Sequence, residues 1–184
     1  MAVPPAVAQT PHSRDTYLSR LAEAAKAISQ GDLPAAESLL NSLLAKSPRD
    51  ADALNLLGVV RAQEQNTVEA ERLFRAARAS APTHVAVQIN LGKLLLTMNR
   101  TNEALQIFQS AHQLAPERND IDLHLATLLA NTRDYQGALQ YLRLVPRSAA
   151  ADDYFPLLLR SLIGLNRLEE ARQLAIEKSK GMKG

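Results

Sequence analysis

The side chains able to do chemistry are few, and their spacing limits what that chemistry is. The histidines are His12, His84, His112 and His124. No two stand at i, i+3 or i+4, and none has a glutamate in the helical metalloprotease arrangement. No metal site is predicted. Cysteine is absent, which removes disulfides, thiolate ligands and a cysteine nucleophile. The glycines never approach a phosphate-loop or dinucleotide spacing, and no serine sits in a nucleophile elbow. The carboxylate pairs Asp152-Asp153 and Glu169-Glu170 fall at expected helix starts, where they complement the helix dipole. Arg72, Arg75 and Arg78, with Arg61, make a basic stripe of the kind that meets nucleic acid or acidic lipid. Glu71, however, stands four residues before Arg75, the ion-pair spacing of a solvated helix face. The aromatics fall mostly at core places, so base-stacking platforms are lacking. The expectation is a chain with no catalytic residues, no cofactor, no metal and no nucleic-acid partner.

The elements that hold these residues are helices. The chain has 184 residues, 46% of them apolar, and a formal net charge of +2, far from the disordered range. Leu supplies 31 residues and Ala 30, against 14 for Val and Ile together, a bias toward helix over strand. No uncharged apolar run approaches bilayer-spanning length, so no membrane insertion is expected. The cysteine-free composition fits a reducing compartment, and the expected location is cytoplasmic. Met1–His12 has three prolines and neither the early charge nor the apolar run of a secretory signal. Residues 1–14 are therefore read as a disordered arm.

A 34-residue period runs through the rest. Pro48, Pro82 and Pro116 keep it, as do Ala36, Ala70, Ala104 and Ala138. Phe74 and Phe108 share a place. So do Leu57, Leu91 and Leu125, each followed by a small residue, Gly58, Gly92 or Ala126. Ala171 follows Ala138 after one deletion. The period divides residues 15–181 into five units, about 17–50, 51–84, 85–118, 119–151 and 152–181, in a single domain. Each unit reads as two helices. In the second unit Asp52 is the expected cap of a helix carrying Leu54, Leu57 and Val60. The second helix carries Ala70, Leu73, Phe74 and Ala77 at i, i+3, i+4, i+7, and Pro82 stops it. The small residues fall where the paired helices cross closely. Pro146 is expected to shorten the second helix of the fourth unit, and Pro156 to fall inside or at the start of the next helix.

The places Leu57-Gly58, Ala70, Phe74 and Pro82, and again Leu91-Gly92, Ala104, Phe108 and Pro116, resemble the tetratricopeptide repeat signature. The usual early Trp is replaced by Leu54, Gln88 and Asp122, and the usual Tyr by Arg61, Leu95 and Leu129. The resemblance implies an all-α, right-handed superhelical solenoid of five stacked helix-turn-helix repeats, with a concave surface lined by the first helix of each unit. It also implies a protein-protein interaction scaffold, not an enzyme, that binds a peptide or partner helix in that groove.

Carried over place by place, the lining includes Leu21, Ala25 and Ile28, then Asp52, Asn55, Leu56, Val59 and Gln63. In the third unit it includes Ala86, Ile89, Asn90, Lys93 and Leu96, and later Asp120, Leu123, His124, Thr127 and Arg160. The peptide-binding set is Asn55, Val59, Ile89, Asn90, Lys93, Leu123, His124 and Thr127. Val59, Ile89 and Leu123 form an apolar track that Asn55, Asn90 and Lys93 flank. The same apolar strip suggests self-association into a homo-oligomer. Lys93 and Arg160 do not reproduce the carboxylate clamp of chaperone-binding members. Asn90 supplies one rung of the asparagine ladder found in members joined to glycosyltransferases. The alternatives are an amino-terminal substrate-recognition domain of a larger enzyme, such as a glycosyltransferase or sulfotransferase, and a self-assembling structural protein.

The register makes a direct prediction. Gly92→Leu over-packs a tight crossing, a class of change that costs about 1–3 kcal/mol before strain is added, and Phe108→Ala should cost about 3–5 kcal/mol. Thermal melts of both variants check this, and wild-type melting in both would put the register wrong.

Overall fold

The computed structural model describes residues 11–146 and 153–181. Of the expected arm, residues 1–10 lie outside this range, and Pro11 to Arg14 form the start of the first helix. The described residues form ten helices and no strand. They are α1 (Pro11–Ser29), α2 (Leu33–Leu44), α3 (Ala51–Gln63), α4 (Thr67–Ser80), α5 (Val85–Thr97), α6 (Thr101–Leu114), α7 (Asn119–Asn131), α8 (Tyr135–Leu142), α9 (Tyr154–Gly164) and α10 (Leu168–Gly181). Their pairing is the helix-turn-helix order of a repeat solenoid. The chain divides into two compact units, residues 1–94 and 95–184, so the change falls within α5.

Each pair reverses direction through the same turn. One residue takes a left-handed backbone: Gly31 at φ 78°, Gln65 at 61°, Asn99 at 58°, Arg133 at 66° and Asn166 at 57°. The amide of the next residue reaches back five places, as in Asn66 to the Arg61 carbonyl at 2.9 Å and Asp134 to the Leu129 carbonyl at 2.8 Å. This is the Schellman closure of a helix C-terminus. In three of the five pairs the residue after the left-handed one then caps the following helix with its side chain. The side chains of Asp32, Asn66 and Asp134 accept from Ala35, Glu69 and Gly137 amides at 3.1, 3.3 and 2.9 Å.

The cap of α3 corrects the sequence reading. It is Asp50, which accepts from the Ala53 amide at 2.9 Å. Asp52 lies inside the first turn, where its charge favours the helix dipole, and its side chain points to His84 instead. The two prolines behave as their positions require. α8 ends at Leu142, four residues before Pro146, and has 8 residues where α4 and α6 have 14. Pro156 is the third residue of α9, in a first turn whose amides have no intrahelical partner.

In the first unit the core joins Ala24 and Ile28 of α1, Ala36, Leu40 and Leu43 of α2, Ala53, Leu57 and Val60 of α3, and Leu73 and Ala77 of α4. The crossing of α3 and α4 is as close as the pattern implies: a Cβ on Gly58 would lie 2.6 Å from the Phe74 ring. In the second unit Ala126, Ala130, Ala138, Leu139, Leu142, Leu157, Leu162 and Ala171 form the core of α7 to α10.

Two places usually filled by Trp hold buried polar groups. Gln88 is 1% exposed and donates from Nε2 to the Pro82 carbonyl at 2.7 Å. Asp122 is 0% exposed, with His112 Nδ1 2.8 Å from Oδ1. The Tyr141 and His112 rings pack edge to face, with centroids 5.4 Å apart. Burial pushes the Asp122 carboxyl above its usual range, and the neighbouring His112 only partly offsets this.

Two predictions follow from these features. Arg133→Gly removes left-handed strain from an L-residue, offset in part by glycine's freedom in the unfolded chain. It should stabilise the fold by about 0.5–1 kcal/mol, seen as a higher Tm. For Asp122 the folded carboxyl is the weaker acid, so its unfavourable contribution is absent where both states are protonated and grows as pH rises through its raised pKa. Asp122→Asn should therefore melt above wild type at pH 7, and the gap should shrink as pH falls toward 4. Denaturation curves of both proteins across that range check the sign.

Candidate functional site

In the first unit, α1, α3 and the start of α5 enclose a groove of about 330 Å³. Its apolar wall comes from Leu18, Leu21, Ala22 and Ala25 of α1, Leu56 of α3 and Ala86 of α5. The α1 residues lie at i, i+3, i+4 and i+7, one face of a helix. Asp52, Asn55 and His84 supply the polar side of the groove. His84 Nε2 lies 2.7 Å from Asp52 Oδ1, and their side chains are 29% and 49% exposed.

The groove is fixed by bonds from one helix pair to the next. The Tyr17 hydroxyl donates to Asp50 Oδ1 at 2.9 Å. Burial, then this bond and the charges of Asp50 and Asp52, push the Tyr17 hydroxyl well above its ordinary pKa. Asn90 Nδ2 donates to Asn55 Oδ1 at 3.0 Å across α5 and α3. Asp50 therefore both caps α3 and ties it to α1.

Of the residues expected to bind peptide, Asn55 lies in the groove, and Asn90 is bonded to it. Val59, one turn further along α3, is half-buried, and Lys93 is exposed on α5. Ile89 is only 5% exposed, so it belongs to the packed interior more than to an open track. Leu123, His124 and Thr127 sit together on α7 of the second unit. His124 stacks on Phe108 with ring centroids 4.9 Å apart, and the Thr127 hydroxyl donates to its own helix at the Leu123 carbonyl, 2.7 Å away. Arg160 donates to Asn131 Oδ1 at 2.9 Å and to the Ala130 carbonyl at 3.3 Å, closing the C-terminus of α7 instead of standing as an anchor.

The sequence reading left out Leu18, Ala22 and His84. The stripe on α1 is a signal for the first two. His84 stands 34 places from both Asp50 and Arg118, at the entrance to a first helix, and is half-buried against Asp52.

The outer face is electrostatically quiet. Arg61 pairs with Glu37, and with Glu64 at 2.7 Å. Arg72 holds Glu69 at 2.6 Å, and Arg75 holds Glu71 at 2.7 Å. The Arg72 and Arg61 guanidinium groups hold the Glu69 and Glu37 carboxyls below their usual range. A second cavity of about 330 Å³ lies among α8, α9 and α10. Its floor is Leu139, Leu158, Leu162 and Leu174, and the Arg167–Glu170 pair, with contacts of 2.5 and 2.6 Å, sits on its rim. Among the described residues no group of three or more His, Asp or Glu side chains is placed to hold a metal ion. No helix of the described residues is long and apolar enough to cross a membrane.

Tetratricopeptide repeat models match residues 21–85, 61–111 and 95–160. A tetratricopeptide repeat protein from Parabacteroides merdae is similar in structure, with a TM-score of 0.76 and 16% identity over 92% of this chain and 68% of that one. MamA gives a TM-score of 0.74 and 16% identity over 90% of this chain and 93% of that one. An O-GlcNAc transferase from Thermobaculum terrenum gives 0.65 and 24% identity over 74% of this chain, but only 28% of that one is covered. No curated protein matches the sequence.

Proposed function

The chain belongs to the tetratricopeptide repeat family, a family of interaction scaffolds, and from that premise we propose that it binds a partner protein through a short segment seated on the first helices of its repeats. The observation that carries this reading is the groove of about 330 Å³ among α1, α3 and α5, walled by aliphatic side chains and edged by Asp52, Asn55 and His84. An aliphatic side chain entering it leaves water at about 25 cal/mol per Å² of buried apolar surface. Ordering of the segment offsets much of that gain. Micromolar affinity is the expected result.

The polar groups serve recognition of a backbone. An asparagine amide has two donors and two acceptor lone pairs, and Asn90 uses one donor to brace Asn55. Lys93 stands two helical turns beyond Ala86 on the same face of α5, about 10 Å away by helix rise. The paired charges of the outer face favour it much less as a binding surface.

A pull-down with the full chain identifies the partner. The double change Asn90→Ala and Leu56→Ala should then weaken binding at least about tenfold, or roughly 1.4 kcal/mol. Arg72→Ala with Arg75→Ala should change it little. Titration calorimetry on the two variants checks the contrast, and loss of binding in the outer pair alone would move the site to the outer face.

A further inference from the structure

We propose that the groove of the first unit selects a partner segment in which two aliphatic side chains flank one lysine or arginine, with the Asp52 carboxylate as acceptor for the cation. This rests on the reading of the groove as the binding surface and names what it takes.

The argument is one of charge and exposure. Asp52 and His84 are the ionisable side chains lining the groove, and Asp52 is the one that carries a full charge with histidine neutral. Its side chain is 49% exposed, so a carboxylate oxygen is reachable from the cavity. Asp50, two residues before Asp52, is turned toward Tyr17. An anionic segment would meet Asp52 in partly desolvated surroundings, where like charges are costly. A cationic one gains a charge-assisted hydrogen bond beside Leu21 and Leu56, while the stem of a lysine or arginine covers the aliphatic wall. His84 holds Asp52 at 2.7 Å, so it both orients the carboxylate and competes for it.

The test uses three fluorescein-labelled peptides built from repeats of leucine-alanine-X-leucine-alanine, with X as lysine, norleucine or glutamate. Anisotropy titrations against the full chain should rank them lysine, norleucine, glutamate, with the first and last about tenfold apart, equal to about 1.4 kcal/mol. Asp52→Asn should bring the three within about twofold. That change removes neither the cap of α3 nor a buried group, and circular dichroism melts verify that the fold is kept. His84→Lys, which gives Asp52 a permanent cation, should erase the preference by a second route. Equal binding of the lysine and norleucine peptides, both abolished by Leu56→Glu, would overturn the cation anchor and leave the groove reading standing. No binding by any peptide would overturn both. A concentration-dependent dimer dispersed by Leu56→Glu would make a second copy of the chain the occupant, and the assignment would fall.

Discussion

The chain reversal inside each helix pair is the constraint on which the rest depends. A single left-handed residue ends the first helix, its successor's amide closes that helix by a bond back to the last turn, and in the pairs where that successor is Asp32, Asn66 or Asp134 its side chain also caps the second helix. There is no slack in such a turn. It fixes where the second helix begins, and so which of its residues faces the first. The contact between Gly58 and the Phe74 ring exists because the turn at Gln65 delivers Phe74 to that height. Only the first pair uses glycine at the left-handed place. The others hold Gln, Asn, Arg and Asn there, and packing along the two helices must outweigh the strain.

Most of this architecture was legible because it is local and recurs. The 34-residue period placed the helix pairs, and α3 to α6 fall within its expected units. Small residues at Gly58 and Ala70 announced the crossing, and Pro146 announced the short α8. What escaped notice were features set by partners distant in sequence. Asp50 and Asp52 are equally plausible caps when only spacing is considered. Their roles separate because Tyr17 and His84 each claim one of them. Gln88 and Asp122 look like departures at an aromatic place, yet both are buried, one donating to the Pro82 carbonyl while its Oε1 has no partner among the described residues, the other facing His112. The candidate site divides in the same way. The spacing of α1 and α3 marks the face that forms the groove, but not that Asn90 would brace Asn55, nor that Arg160 would be taken up by the end of α7.

The two faces of the helix pairs differ in how their charge is used. On the second helices, glutamates three or four residues from arginines neutralise them at short range. Such exposed pairs add little stability, usually below about 1 kcal/mol. On the first helices, polar groups instead join one pair to the next.

Those joints have a consequence for how the chain assembles. Tyr17 to Asp50, His84 to Asp52 and Asn90 to Asn55 each link neighbours 32 to 35 residues apart in sequence. Contacts of that range close quickly, because the entropy lost in forming a loop rises only slowly with its length. Folding can start at any well-turned pair and spread to its neighbours. The pair that follows the shortened α8 is docked on a helix six residues shorter than α4 and α6, so within the second unit it has the least apolar surface holding it and is expected to open first.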